Sequence, residues 1–311
     1  MLSSTANLQL QPGLKFLNSD EFRASTLPQV FSLPESIIFY MAKNPPSSGV
    51  HQKMIQSCKY FFAQNPILHL HCLCFDDKNG WKTCVENSCL GSMKNRKYRE
   101  ISLDMDKIQS KIWIEFALEI FSSNPSFTSS FIKKLYNGNI TYFELMGQNI
   151  SFNELLFFFQ NVICFALYKS TVFYENGGEV PCEIILASLP KLKKLIFRHP
   201  PTFHNDSKTV AELLKIPHLK NLVGFVLDKL SESFDIETFF EYLKKNNKTC
   251  VVLIFNNPLS EEYKQKLQAI IDKILDAELP RSYKPPYIDF EGQLRGDELY
   301  ELCKKYFKSL S

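Results

Sequence analysis

ITYFEL (140–145), VICFAL (162–167), LKKLIF (192–197), LVGFVL (222–227) and CVVLIF (250–255) are five short apolar runs in the second half of the chain. Each holds an apolar, x, apolar pair: Phe143 and Leu145, Phe165 and Leu167, Leu195 and Phe197, Phe225 and Leu227, Leu253 and Phe255. Counted between first members, the offsets are 22, 30, 30 and 28 residues. A unit of 20 to 30 residues cannot bury its apolar face alone, so recurrence at such a period predicts stacked units and therefore a solenoid. The clearest internal match aligns Leu189-Pro-Lys-Leu192-Lys-Lys-Leu195 with Ile216-Pro-His-Leu219-Lys-Asn-Leu222 at an offset of 27. That alignment conflicts with the offset of 30 given by Phe225, leaving the register near 222–227 open.

Helical periodicity, with apolar residues at i, i+3 and i+4, fills the intervals between these runs. The spacing predicts helices over Phe152–Gln160, Val180–Leu189, Thr209–Ile216, a segment after Asp235 and a long one after Ser260. Ser151 with Glu154 forms a capping box, and Asp235 and Ser260 are N-cap residues whose side chains can satisfy first-turn amides. Strand and helix thus alternate about five times, which sets the class as α/β.

The pattern resembles an irregular leucine-rich repeat, L-x-x-L-x-L-x-x-N, through Ile140, Phe143 and Leu145, then Val162, Phe165 and Leu167, then Leu192, Leu195 and Phe197. The resemblance implies strands lining one face, helices behind them, and a face that selects a partner through positions such as Glu144, Ala166, Ile196 and Val226. Those positions are mostly apolar, which also fits a sheet covered on both faces. The consensus asparagine is replaced by Gln148, Ser170, Pro200 and Pro258, so its side-chain ladder is expected to be absent. The competing architecture is a closed α/β sheet, whose buried strands also read as continuous apolar runs.

Composition sets the outer bounds. The chain has 311 residues, 45% of them hydrophobic, with 27 Phe, enough for a large aromatic core. No run of 18 apolar residues and no basic-then-apolar leader occurs, so neither a membrane span nor secretion is expected. Nine scattered cysteines suit thiols of a reducing compartment, the cytoplasm or nucleus. Net charge is +3; the clusters Lys94-Asn-Arg96-Lys97-Tyr-Arg99 and Lys191-Leu-Lys193-Lys194 with Arg198 are too short to predict nucleic-acid binding.

The first part is organised differently, with a polar segment at 1–26. Ser32-Leu33-Pro34-Glu35 reads as a capping box with Pro in the first turn, followed by Ile37, Ile38 and Met41. Lys43-Asn-Pro-Pro-Ser-Ser-Gly49 interrupts, and a second helix is predicted from Val50 to Phe62, with Met54, Ile55 and Cys58 on one face. Leu33, Pro34, Glu35, Ile37 and Ile38, then Cys58, Lys59, Tyr60 and Phe61, resemble the start of an F-box. Together with Trp81-Lys-Thr-Cys84 and the degenerate repeats, the chain resembles a nematode-expanded set of F-box-like proteins. The resemblance implies a Skp-type adaptor as partner, bound through Leu33, Pro34, Ile37, Ile38, Met54, Ile55 and Cys58. It departs from the F-box in Pro45 and Pro46 and in lacking a tryptophan near the segment's end. The other reading of these helices is a cap over the end of the repeats.

Residues Ile67–Phe75 (ILHLHCLCF) alternate as a strand, with Trp81–Val85 and Tyr98–Leu103 as pairing partners. His69, His71, Cys72, Cys74, Cys84 and Cys89 are the concentrated metal-ligand types, but neither C-x-C nor C-x4-C is a usual zinc pair. Strict alternation would send His69 and His71 to one face and Cys72 and Cys74 to the other. A metal-dependent or thiol enzyme centred on His69–Cys89 is the alternative function. Phosphate-loop, dinucleotide, nucleophile-elbow and H-E-x-x-H motifs are lacking, and Cys58 and Cys164 sit in apolar runs as core thiols.

The expected organisation is 1–26 loosely ordered, 27–66 F-box-like helices, 67–122 a strand-containing connector, 123–279 repeats, and 280–311 a linker with a capping helix over Gly296–Leu310. The expected function is that of a non-enzymatic, monomeric protein-interaction module without cofactor, a substrate receptor of a cullin-based ubiquitin ligase or a freestanding scaffold.

Overall fold

The computed structural model describes residues 24, 30–84, 101–200, 207–255, 258–278 and 281–307. They belong to two compact units, Met1–Ile67 and Leu68–Ser311. The first holds α1 (Glu35–Lys43), α2 (Ser48–Ser57) and α3 (Lys59–Gln64). Two expectations are corrected here. Ser32 does not cap α1: Pro34 is the N-cap, with extended ψ of 142° and no capping side chain, so Ser32 lies too far upstream. The helix predicted over Val50–Phe62 breaks at Cys58, which is extended (φ −156°, ψ 131°). Its N–H closes α2 on the Met54 carbonyl and its Sγ accepts the Tyr60 N–H that opens α3, so one residue serves as the end of one helix and the cap of the next.

The second unit is α/β, built on one large, mostly parallel sheet. Its strands are β1 (Ile67–Asp76), β2 (Gly80–Thr83), β3 (Ile101–Leu103), β4 (Lys111–Phe121), β5 (Tyr142–Met146), β6 (Asn149–Ser151), β7 (Cys164–Tyr168), β8 (Thr171–Phe173), β9 (Lys194–Arg198), β10 (Gly224–Leu227), β11 (Cys250–Phe255) and β12 (Tyr287–Phe290). Ten form one sheet in the order β12-β11-β10-β9-β7-β5-β4-β1-β2-β3, and β6 with β8 forms a small second sheet. From β4 to β12 the pairing is parallel and follows chain order; β1, β2 and β3 form an antiparallel meander at one edge.

Strand pairing fixes how the apolar runs align with one another. Phe143 lies beside Phe165, Phe165 beside Leu195, and Leu195 beside Phe225, giving offsets of 22, 30 and 30. Phe225, however, lies beside Val251, so the last offset is 26 where the apolar pairs predict 28. CVVLIF carries Val251, Leu253 and Phe255 on one side, and period two alone cannot choose among them. The gapless alignment at 27 is also displaced by three. Leu189 and Leu192 donate to Leu186 and Leu189 as Leu219 and Leu222 donate to Ile216 and Leu219, so the true counterparts are 30 apart. Leucines spaced by three make a three-residue slip nearly invisible in the sequence.

Among the described residues of this unit, seven α-helices follow: α4 (Phe127–Ile132), α5 (Phe152–Leu156), α6 (Cys182–Ala187), α7 (Thr209–Lys215), α8 (Ile236–Lys245), α9 (Glu261–Leu275) and α10 (Gly296–Lys304). The capping box at Ser151 and Glu154 is formed, and Asp235 and Ser260 cap α8 and α9. α5 and α6 are shorter than their periodicity predicts, and the last described turn of α10 ends before Leu310, which lies outside the described residues. Buried strand residues Phe143, Phe165, Leu195, Phe225 and Leu253 share one core with Phe158, Ile185, Leu213, Phe239 and Ile271, so the helices cover one sheet face. Each buried Leu or Phe contributes roughly 1.5–3 kcal/mol through apolar area removed from water. Among the described residues no helix is long and apolar enough to cross a membrane.

Candidate functional site

In the N-terminal unit the seven expected adaptor-contacting residues divide into two sets. Ile38 is buried with Ala42 and Phe61, and Met54, Ile55 and Cys58 pack against that small core beside Phe31 and Tyr60. Asn65 Nδ2 donates to the Ala42 carbonyl at 3.0 Å, tying the end of α3 to α1. Leu33, Pro34 and Ile37 point away from it: Leu33 is 47% exposed, Ile37 46%, and Phe39, Tyr40 and Met41 on the same helix are exposed as well. A helix with apolar residues on all sides is ordinarily buried on all sides. α1 buries only one side, through Ile38 and Ala42.

The His and Cys group of β1 does not keep strict alternation. Leu68 and Leu70 pack into the main core, and so do Leu73 and Phe75, so the phase slips by one between Leu70 and Leu73, as a bulge produces. His69, His71, Cys72 and Cys74 therefore share the opposite face, correcting the expected split. His69 stacks on Trp113 with ring centroids 5.3 Å apart, and its Nδ1 lies 3.7 Å from Glu115 Oε1. His71 stacks on Phe116 at 5.0 Å; burial lowers its pKa, partly opposed by the Glu115 charge. Cys72 and Cys84 pack with Ala117 beside Phe116 and Tyr142. Among the described residues no three His, Cys, Asp or Glu side chains converge to hold a metal; Cys89 lies outside them, as does the cluster Lys94–Arg99.

The positions expected to face a partner, Glu144, Ala166, Ile196 and Val226, are register neighbours in one row, on the face away from the helices. All four are buried. Ala166, Ile196 and Val226 join Val252 in a second apolar cluster, flanked by Tyr168, Ile254, Tyr287 and Phe307. The row continues into Glu119, paired in register with Glu144 and also buried. Burial pushes the neighbouring Cys164 thiol up to about 12, with Lys194 opposing and Glu144 and Glu119 reinforcing the shift, which suits a core thiol.

A recurring polar construction lies where the strands end, one residue before Gln148, Ser170 and Pro200. Gly147, Lys169, His199 and Lys229, each just past its strand, have positive φ of 72°, 49°, 49° and 61°. The turn lets Gly147 N–H donate to the Tyr168 carbonyl and Lys169 N–H to the Arg198 carbonyl, extending the strand ladder by one residue. At Gly147 a Cβ would lie 2.5 Å from the Ser122 carbonyl oxygen, so glycine is required. Of the four residues standing at the consensus asparagine positions, Gln148 and Ser170 make side-chain hydrogen bonds here, whereas Pro200 and Pro258 have no side-chain donor or acceptor, so no continuous side-chain ladder runs through all four. Buried Gln148 donates from Nε2 to the Ser122 and Asn124 carbonyls at 3.1 and 3.0 Å, and its Oε1 accepts from Thr128 N–H and Oγ1–H, both at 2.9 Å. Gln148 N–H donates to Ser170 Oγ at 3.0 Å. A glutamine and a serine are chemically able to do what the consensus asparagine does, each being a donor and an acceptor.

In the third turn His199 N–H donates to Asp228 Oδ2 at 2.9 Å, and His199 Nδ1 lies 3.0 Å from the same oxygen. Asp228 is fully buried and also accepts the Lys229 N–H at 2.7 Å. No sequence motif marks this pair; its cue is the spacing of 29 between two residues that both follow strand runs. Comparison of the chain with protein-family models, with curated proteins and with solved structures finds no match to any of them.

Proposed function

We propose that the chain is a protein–protein interaction module of two parts: F-box-like helices that dock a Skp-type adaptor, and an irregular leucine-rich-repeat-like solenoid that receives a second protein. In this reading the protein acts as a substrate receptor of a cullin-based ubiquitin ligase. The observation that carries it is the outward apolar surface of α1, where Leu33, Ile37, Phe39, Tyr40 and Met41 are exposed. Contiguous exposed apolar side chains of this kind mark binding surfaces more often than chance. Support for the repeat part comes from parallel strands placed in chain order at offsets of 22, 30, 30 and 26.

Binding of the purified full chain to a purified Skp-type adaptor, measured by calorimetry, tests the first part. Expected is a stoichiometric complex that weakens about tenfold or more in Leu33→Asp/Ile37→Asp, both positions being anchors on a helix surface. The variant's circular dichroism should match wild type because neither side chain is part of the small core. Ile38→Asp is unsuitable, since Ile38 is buried and its loss would unfold the unit. No complex with the wild-type chain would sink the adaptor reading.

A further inference from the structure

Three of the four left-handed turn positions at the strand ends carry basic side chains: Lys169, His199 and Lys229. Glycine adopts that backbone without strain, and the first turn uses it, whereas a side chain there is held against a backbone penalty. The three turns follow β7, β9 and β10, which are adjacent in the sheet, so the basic residues form a row with Arg198 beside it. Neighbouring strands are about 4.8 Å apart, and the row therefore spans about 10 Å.

Among the described residues, the acidic groups Asp228, Glu232 and Asp235 that follow these strands are engaged. Asp228 is buried against His199, Glu232 accepts the Ser260 N–H at 3.0 Å, and Asp235 caps α8. Lys169 is exposed and makes no ion pair among the described residues. His199, 59% exposed, has Nδ1 fixed by Asp228, which orients the ring and leaves Nε2 for a ligand.

We propose that this row is a docking site for an acidic peptide segment of a protein partner. Same-side residues of an extended peptide recur about every 6.7 Å, so two or three acidic side chains match a row of about 10 Å within reach of two lysine arms. Nucleic acid is disfavoured by size and charge, because strong binding there draws on roughly six to ten phosphate contacts and this chain carries a net charge of only +3. The inference deepens the interaction-module reading by naming the partner's chemistry. It is tested without the adaptor, so failure of either binding event is read separately.

The test is fluorescence anisotropy of the full chain with fluorescein-labelled hexaglutamate, with labelled hexathymidylate and hexalysine alongside. Hexaglutamate should bind alone of the three, with affinity falling as salt rises from about 50 to about 200 mM. Lys169→Gly/Lys229→Gly should lower that affinity about tenfold or more, since two charged contacts are lost. The same variant should melt at the wild-type temperature or above it, because glycine relieves the turn. Lys266→Glu, on the exposed side of α9, should leave binding unchanged. Absence of hexaglutamate binding, undiminished binding in the glycine variant, or equal binding of hexathymidylate or hexalysine would overturn the assignment.

Discussion

The N-terminal helices and the parallel sheet use apolar residues in opposite ways. In the sheet unit both faces are buried: Phe143, Phe165 and Phe225 lie under the helices, and Ala166, Ile196 and Val226 form a second cluster on the other side. In α1 the sequence IIFYMA is as apolar as any strand, yet only Ile38 and Ala42 are buried. Apolar character in the sheet is thus accounted for by folding, and on the outer side of α1 it is not. The difference separates residues that stabilise the chain from residues available to something else.

The comparison breaks most visibly if truncation in the two regions has similar effects. Phe143→Ala, at a fully buried position beside Phe158 and Phe165, should lower unfolding free energy by about 3–5 kcal/mol, through lost transfer energy and the cavity left behind. Ile37→Asp should change it by no more than about 0.5 kcal/mol, as expected of a surface position. Urea denaturation followed by fluorescence and circular dichroism measures both. A large loss in Ile37→Asp would mean that the outer side of α1 is needed for folding.

A smaller effect is expected in the turn at Gln148. Gln148→Ala leaves Thr128 N–H and the Ser122 and Asn124 carbonyls without their side-chain partner in a buried turn. The cost should be about 2–3 kcal/mol, the desolvation of groups left unsatisfied exceeding the net worth of each bond. Gln148→Asn, the residue of the repeat consensus, should recover part of that stability in the same denaturation experiment. If Gln148→Ala is neutral, these side-chain bonds do not hold the strand ends.

The α/β class, the alternation of strand and helix, three of the four offsets and the caps at Ser151, Asp235 and Ser260 were legible because each rests on local chemistry repeated at fixed spacing. What was not legible depends on a residue or two of phase. CVVLIF offers three equivalent apolar positions, and the slip in ILHLHCLCF needs the pairing of distant strands to become visible. Of the seven candidate contact residues, Leu33 and Ile37 are exposed and Ile38 is buried, yet all three are aliphatic or adjacent in one helix and only three-dimensional packing tells them apart. The left-handed turns escaped notice because Lys and His, unlike Gly, carry no mark of positive φ. Gln148 departs from the consensus asparagine, but its amide offers the same donors and acceptor one bond further out.

The smallest effect concerns the second sheet face and is read through its thiol. Burial raises the Cys164 pKa from an ordinary value of 9.0 to about 12, so the folded chain keeps a proton that the unfolded chain loses above about pH 9. The stabilisation tied to this thiol is therefore fully present below pH 9 and declines as pH rises toward 12. Its loss should be about 1 kcal/mol over the first unit above pH 9, close to the limit for one proton. Cys164→Ala should flatten that part of the stability profile, while Cys303, pushed up to about 12 by burial as well, keeps its own share. Alkylation mapped by mass spectrometry at pH 8 sharpens the contrast between regions: half-buried Cys58 of the helical unit should react well before Cys164 does. Equal rates at the two thiols would mean that the second face opens to solvent in the native state. Its row from Glu144 to Val226 would then belong with the outer side of α1, among the residues that folding does not account for.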